Sequence, residues 1–186
     1  MAALYPNRAR PPRARFARVS LPGRLVDTPS GRLFVHRTGE GPPLVLVHGY
    51  LVSHFYFKPV IADLAKRFDV IALDLPAHGE SDRTPPGSFK YDLASHADAV
   101  AQAMEALGVA RAHVWGHSMG GGVAVHLAAQ HPSRVDRLVI ESATLYPLPL
   151  DVKVRLTLTP GIGPFLFQRV FGKPRFHQNF FQAQGG

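Results

Sequence analysis

Cysteine is absent from the 186-residue chain, so disulfide bonds and thiolate metal sites are excluded. No apolar run approaches the roughly 20 residues needed to span a bilayer, and no uninterrupted apolar stretch follows the basic N terminus, as a secretory signal requires. No glycine-rich loop is followed by Lys and Ser or Thr, which excludes a phosphate loop. These absences predict a globular cytoplasmic protein without stable membrane insertion.

Acidic residues are missing from the first 26 positions, and this accounts for most of the net charge of +8. Six arginines lie there, whereas residues 27–186 carry 15 basic and 13 acidic residues. Residues 1–23, rich in Pro and Arg, are predicted to form a flexible basic arm. The domain itself is nearly balanced in charge, so no nucleic-acid partner is expected. Contact of the arm with polyanions or a membrane surface is the alternative.

Apolar runs of strand length alternate with helical patterns from about residue 24 onward. Continuous apolar runs suit strands that are buried on both faces of a sheet. The predicted elements are a hairpin over 25–36, strands at 44–47, 70–73, 112–115 and 135–140, and helices over 59–67, 92–107 and 119–130. This alternation predicts an α/β fold whose mostly parallel, doubly wound sheet has about six strands.

A serine between glycines, Gly-x-Ser-x-Gly at 116–120, separates the third buried strand from the next helix. Ligands of such sheets gather at the carboxyl ends of the strands. To lift the hydroxyl of Ser118 out of the sheet, the chain must turn sharply through a strained backbone region. Side chains at Gly116 and Gly120 would collide with the turn, and Gly121 lets the helix pack closely against the strand. The spacing therefore favours an exposed nucleophile.

Two backbone N–H groups are candidates to bind the oxyanion that forms when Ser118 attacks a carbonyl group. The N–H of Met119 lies at the start of the helix, where the helix dipole favours negative charge. The second donor should come from the turn after the first buried strand. There the sequence reads His-Gly-Tyr, so Gly49 shapes the turn and Tyr50 supplies the N–H group.

Three motifs in this order resemble those of the α/β-hydrolase family: His-Gly-Tyr at 48–50, the segment DLPAHGESD at 74–82, and GHSMGG at 116–121. The resemblance covers about residues 24–145. It implies an esterase- or lipase-like serine hydrolase that acts on apolar ester or acyl substrates through an acyl-enzyme on Ser118. No cofactor or metal is implied, because an activated serine and water suffice. Relatives that use an Asp nucleophile are disfavoured by Ser118.

The partners of Ser118 are harder to place. The family resemblance implies an acid and then a histidine after the serine, with the histidine following the last strand of an eight-stranded sheet. The strand count here ends at the sixth, near Glu141, so the chain is expected to be truncated before the C-terminal strands. Residues 145–186 would then begin the lid, after a core at 24–144. Glu141 is the best acid present, and no histidine, His177 included, has the expected context.

These expectations leave two alternatives open. The chain is either a hydrolase or a catalytically incompetent fragment or pseudo-hydrolase that binds a ligand. Phe55, Tyr56 and Phe57 either line an acyl pocket or pack in the core. If the last strands are missing, the sixth strand becomes an exposed apolar edge, and self-association through Val135–Ile140 is expected.

Overall fold

The computed structural model describes residues 21–85 and 87–143, together with positions 145, 159, 163, 165, 166 and 169. The chain forms two compact units, Met1–Leu145 and Tyr146–Gly186. In the second unit, the guanidinium group of Arg169 lies 5.2 Å from the ring centroid of Phe165. The basic arm predicted at 1–23 and the lid predicted at 145–186 lie almost wholly outside the described residues. Both therefore stay predictions.

In the described part of the chain, six strands form one mixed sheet in the order β1-β2-β4-β3-β5-β6. Strands β3 to β6 pair in parallel, whereas β2 is antiparallel to both β1 and β4. The strands are β1 Arg24–Val26, β2 Leu33–Thr38, β3 Pro43–Val47, β4 Asp69–Leu73, β5 Ala112–His117 and β6 Val135–Glu141. The α/β class, the mostly parallel sheet and the N-terminal hairpin predicted from the sequence are confirmed.

Within residues 21–143, three α-helices cover both faces of the sheet: α1 Lys58–Leu64, α2 Leu93–Ala106 and α3 Met119–Gln130. Successive residues of a strand point to opposite faces. Thus Val45 and Val47 pack in the core formed with α2 and α3, whereas Leu44 and Leu46 pack in the core formed with α1. The doubly wound arrangement is confirmed. Within the described residues, no helix is long and apolar enough to cross a membrane.

The element boundaries differ from the predicted ones at two places that matter for the site. Helix α1 ends at Leu64, three residues early, because Arg67 and Phe68 both donate to the Leu64 carbonyl in a tight turn that leads into β4. Strand β5 continues to His117, two residues beyond the predicted end. The extension pairs with β3 and β6 and carries the chain directly to Ser118.

Candidate active site

Ser118 stands at the corner between the last residue of β5 and the first residue of α3. Its φ of 52° and ψ of −118° lie in a region that residues with a side chain rarely adopt. The backbone is held there by hydrogen bonds, because its N–H donates to the carbonyl of Glu141 over 2.9 Å and its carbonyl accepts from Gly121 over 3.0 Å. The predicted strained turn is present. The Ser118 hydroxyl has no hydrogen-bond partner among the described residues.

The glycines around Ser118 stand where a side chain has no room. A Cβ atom at Gly116 would overlap the carbonyl oxygen of Gly120, and one at Gly120 would overlap the carbonyl oxygen of Val47. A Cβ atom at Gly121 would overlap the side chain of Ala143 after β6. The obstacles at Gly116 and Gly120 are backbone atoms, which cannot rotate away. The backbone around Ser118 is therefore tightly packed, because the start of α3 is in direct backbone contact with both β5 and the end of β3.

The turn at His48–Tyr50 lies against the same corner. A Cβ atom on Gly49 would lie 3.2 Å from the Cβ atom of Ser118. Neither the N–H of Tyr50 nor that of Met119 donates a hydrogen bond to any described residue. Met119 is the first residue of α3, where N–H groups have no acceptor within the helix, and Tyr50 is 54% exposed, so both N–H groups are available to a ligand. The two amides predicted to bind an oxyanion are therefore unpaired in the described part of the chain.

His48 is fully buried at the base of this turn. Its Nε2 accepts a hydrogen bond of 3.1 Å from the N–H of Leu75, and its Nδ1 lies 2.7 Å from the carbonyl oxygen of Gly49. An N–H can only donate, so Nε2 carries the lone pair and Nδ1 carries the proton. Burial lowers the pKa of His48 to about 4, which keeps the ring neutral at physiological pH.

Asp74, the first residue of the second motif, is buried and connects that motif to the segment after the turn. It accepts hydrogen bonds from the backbone N–H of His54 (2.6 Å), from Nδ1 of His54 (2.9 Å) and from the N–H of Glu80 (2.8 Å). Burial would raise the pKa of Asp74, but these hydrogen bonds and the attraction of His54 hold it below its usual value. Asp74 thus joins the segment at His54 to the loop that follows β4.

The carboxylate of Glu141 joins a cluster at the carboxyl ends of β5 and β6. It accepts a hydrogen bond from Nε1 of Trp115 over 3.0 Å and one from the hydroxyl of Tyr56 over 3.2 Å. The ring of Tyr56 stacks on His117 with a centroid distance of 4.2 Å, and Nδ1 of His117 lies 3.6 Å from the carboxylate. Burial and the Glu141 charge raise the pKa of Tyr56. The role of Glu141 as a catalytic acid stays a prediction.

No histidine within the described residues forms a hydrogen bond with Ser118. Seven of them bond elsewhere: His36 with the carbonyl of Pro22, His48 with that of Gly49, His54 with Asp74, His78 with the carbonyl of Pro76, His117 with the Tyr56 hydroxyl, His126 with the carbonyl of Gly122, and His131 with Asp98. His78 and His96 lie in a cluster of aromatic rings with Tyr50, Phe89 and Tyr91. His177 falls outside the described residues.

The role of Tyr56 was missed by sequence reasoning, which considered it only as pocket lining or core. Phe57, its neighbour, is 1% exposed and packs edge-on against Trp115, so it belongs to the core. One signal was available: Trp115 and His117 are two residues apart in a strand and therefore share a face. Because Glu141 ends the adjacent strand β6, contact with that face could have been anticipated. The contribution of Tyr56, 61 positions from His117, could not.

Comparison with known proteins gives consistent matches. The sequence model of the family described as alpha/beta hydrolase fold matches residues 42–181. Pimeloyl-[acyl-carrier protein] methyl ester esterase from Chromobacterium violaceum is 41% identical over 108 residues, which cover 58% of this chain and 39% of the esterase. 2-Hydroxymuconate semialdehyde hydrolase from Pseudomonas sp. (strain CF600) is 33% identical over 131 residues, which cover 69% of this chain and 46% of that hydrolase.

Solved structures agree with these sequence matches. An N-acyl homoserine lactonase in complex with N-hexanoyl homoserine superposes with a TM-score of 0.62 at 33% identity, covering 67% of this chain and 46% of the lactonase. The chain spans only 35% to 46% of the length of the curated relatives with which it was compared.

Proposed function

Because the chain belongs to the alpha/beta hydrolase family, we propose that it carries the nucleophile of a serine hydrolase, and that this nucleophile is Ser118. One observation carries the proposal. The Ser118 hydroxyl, on a strained corner with φ of 52°, is unpaired among the described residues, as are the N–H groups of Tyr50, in the adjacent turn, and of Met119, the next residue. Strain of this kind persists where the surrounding structure enforces it, and it concentrates at functional sites.

The reaction proposed is acyl transfer. The oxygen of Ser118 bonds to the carbonyl carbon of an ester while a base takes the hydroxyl proton, and the carbonyl π electrons move onto the carbonyl oxygen. The N–H groups of Tyr50 and Met119 donate to this oxyanion. Loss of one such donor typically costs about 3–4 kcal/mol of transition-state stabilisation. Collapse of the intermediate breaks the ester C–O bond, and the leaving oxygen takes the proton held by the base to give the alcohol. Water then attacks the acyl-serine as the base takes its proton, and collapse releases the carboxylic acid and restores the Ser118 hydroxyl.

The base is proposed to lie outside the described residues, because no histidine within them forms a hydrogen bond with Ser118. Glu141 remains the candidate acid, but both of its carboxylate oxygens already accept hydrogen bonds, from Trp115 and from Tyr56. These contacts favour a positioning role for Glu141. A hydrolase with an oxyanion hole and no base retains some catalysis over water, well below that of a full triad.

An ester or a related acyl compound is the proposed substrate class. Two similar proteins support it by name, since one is a methyl ester esterase and another is a lactonase, which opens a cyclic ester. The similar 2-hydroxymuconate semialdehyde hydrolase is not named for an ester. The names of the similar proteins therefore do not identify one acyl group. A chain that binds such a ligand without hydrolysing it is the second candidate, favoured by the lack of a histidine partner for Ser118 among the described residues.

The test is covalent labelling with a fluorophosphonate, which reacts with activated serines. Ser142 is a matched control, because it also has a positive φ (47°), is exposed, and lies near the same corner. We expect mass spectrometry to find the label on Ser118 in the full chain and in Ser142→Ala, and none in Ser118→Ala. Folded protein that shows no labelling would exclude the hydrolase and leave the ligand-binding candidate.

A further inference from the structure

The peptide group between Gly49 and Tyr50 is held by a side chain. A trans peptide group is planar, with its carbonyl and N–H pointing in opposite directions. The carbonyl of Gly49 is hydrogen-bonded to Nδ1 of His48 over 2.7 Å. That bond therefore fixes the direction of the Tyr50 N–H as well, which points to the side of the peptide away from the His48 ring.

His48 is itself fixed from behind. Its Nε2 accepts from the N–H of Leu75, a residue that is 0% exposed and follows the central strand β4. The ring of His48 is also 0% exposed, so water does not compete for either nitrogen. A continuous path of hydrogen bonds thus runs from the rigid end of β4, through the imidazole, to the Gly49 carbonyl.

The backbone directly after the turn is strained. Leu51, which follows Tyr50, has a φ of 61°, which residues with a side chain rarely adopt. No described residue accepts a hydrogen bond from the Tyr50 N–H, so this group has no bond of its own to hold it. Without the His48 bond, rotation of the Gly49–Tyr50 peptide would point the N–H elsewhere.

We propose that His48 is a positioning residue, whose Nδ1–H aims the Tyr50 N–H at the oxyanion site by holding the Gly49 carbonyl. The proposal rests on the hydrolase function proposed above. It assigns separate tasks to the two ring nitrogens: Nδ1 orients the peptide group, and Nε2 anchors the ring to Leu75. A role in folding alone would depend on both nitrogens without distinction.

Two variants separate these tasks. In His48→Asn the side-chain amide nitrogen is bonded to Cγ, as Nδ1 is, so the variant retains a donor for the Gly49 carbonyl and loses the acceptor for Leu75. In His48→Gln the amide is one carbon further out, as Nε2 is, so the variant retains the acceptor for Leu75 and loses the donor. Both substitutions replace the ring by a smaller neutral amide and remove one of its two hydrogen bonds, which makes them matched controls for each other.

Labelling of Ser118 by the fluorophosphonate and the melting temperature are measured for both variants of the full chain. We expect the labelling rate to fall about tenfold or more in His48→Gln, since a misdirected oxyanion donor loses much of its effect. In His48→Asn it should stay within about threefold of the wild type, whichever variant melts lower. Equal labelling of both variants, or losses that follow the melting temperatures, would overturn the proposal.

A second readout does not depend on labelling. Both variants lose the ring current of the imidazole, so the diagnostic quantity is the difference between them. The amide cross-peak of Tyr50 in a ¹H–¹⁵N spectrum should move further from its wild-type position in His48→Gln than in His48→Asn. Equal displacement in the two variants would overturn the proposed role of His48. Wild-type protein without Ser118 labelling, combined with the expected Tyr50 shifts, would instead reject the hydrolase function and keep the orienting role.

Discussion

The backbone N–H of Ser118 donates a hydrogen bond to the carbonyl oxygen of Glu141 over 2.9 Å. This bond ties the corner to the end of β6, and the Glu141 side chain ties the same strand end to Trp115 and Tyr56. The residue that the sequence offers as an acid is therefore connected to Ser118 through its backbone, while its carboxylate faces other partners. A positioning role and a role in acid catalysis therefore predict different effects of Glu141 substitutions on Ser118 labelling and on the free energy of unfolding.

Substitution of Glu141 should affect stability more than reactivity. Glu141→Gln retains an acceptor in the cluster, so we expect Ser118 labelling within about tenfold of the wild type. Glu141→Ala leaves the Trp115 and Tyr56 donors unpaired in a partly buried site, and we expect a loss of about 1–3 kcal/mol in the free energy of unfolding. Denaturant unfolding can be followed through Trp115, since the chain contains one tryptophan.

Catalysis by Glu141 would have another signature. If Glu141 were the acid of a triad, Glu141→Gln would lose labelling about a hundredfold or more, with an unchanged free energy of unfolding. That combination would contradict the positioning role.

Gly120 should not tolerate a side chain. Its Cβ would overlap the carbonyl oxygen of Val47 and lie 2.5 Å from that of His48, and neither backbone atom can move without displacing β3. We expect Gly120→Ala to lower the free energy of unfolding by about 3 kcal/mol or more, the upper end of overpacking costs. Urea unfolding measures the loss.

Gly108 is the control for this experiment, because it isolates backbone conformation from crowding. It ends α2 with a φ of +70°, and a Cβ atom there would meet nothing within 4 Å. Gly108→Ala should cost only about 1 kcal/mol. A Gly120→Ala variant no less stable than Gly108→Ala would show that the corner has room to relax.

The local parts of this molecule could be predicted from the sequence. Strand runs such as 44–47, the helix over 92–107 and the corner at Ser118 depend on residues within a few positions of one another. The Asp92 side chain accepts from the N–H of Ser95, and Ser118 has the strained dihedral angles that its flanking glycines indicate. Steric limits on the backbone act locally, so a short motif carries them.

What could not be predicted depends on distant parts of the chain. The hydrogen bond between Tyr56 and Glu141 joins residues 85 positions apart, and that between Leu75 and His48 joins residues 27 apart. Which nitrogen of His48 carries the proton follows from the position of Leu75, which only the assembled sheet determines. Residue types indicate that such groups are able to interact, but their partners are selected by the packing of whole elements.

His96 should make stability depend on pH. Burial and the nearby His78 lower the pKa of His96 to about 4, whereas an unfolded histidine titrates near about 6.5. As the pH falls between these values, the unfolded state binds a proton that the folded state does not, so stability is lost at about 1.4 kcal/mol per pH unit. We expect the free energy of unfolding of His96→Phe, relative to that of the wild type, to rise by about 2–3 kcal/mol as the pH falls from about 7.5 to about 4.5.

Urea unfolding across this pH range measures the difference. Phenylalanine suits the site, because His96 packs against the ring of Phe89 and its Nδ1 has no partner among the described residues. Tyr91→Phe is the control within the same ring cluster, since it removes no group that titrates in this range. Parallel pH profiles for wild type and His96→Phe would show that His96 binds protons equally in the folded and unfolded states.

Self-association through β6 is the last prediction. Strand β6 is the final strand in the sheet order, and Val139 and Ile140 on it are 51% and 42% exposed. An unpaired apolar edge invites pairing with a second copy, and lysine at an edge opposes this. We expect sedimentation velocity to show association of the wild type with increasing concentration, and Val139→Lys to weaken it about tenfold, equivalent to about 1.4 kcal/mol.

Val60→Lys provides the matched control for this experiment. Val60 is also an exposed valine (36%), but it lies on α1 and away from the sheet edge. The same charge introduced there should leave the association unchanged, because it adds no repulsion along β6. If Val60→Lys weakened association as much as Val139→Lys did, the effect would come from net charge. A wild-type protein that stays monomeric over its whole soluble range would show that the edge is protected, and the pairing through β6 would be wrong.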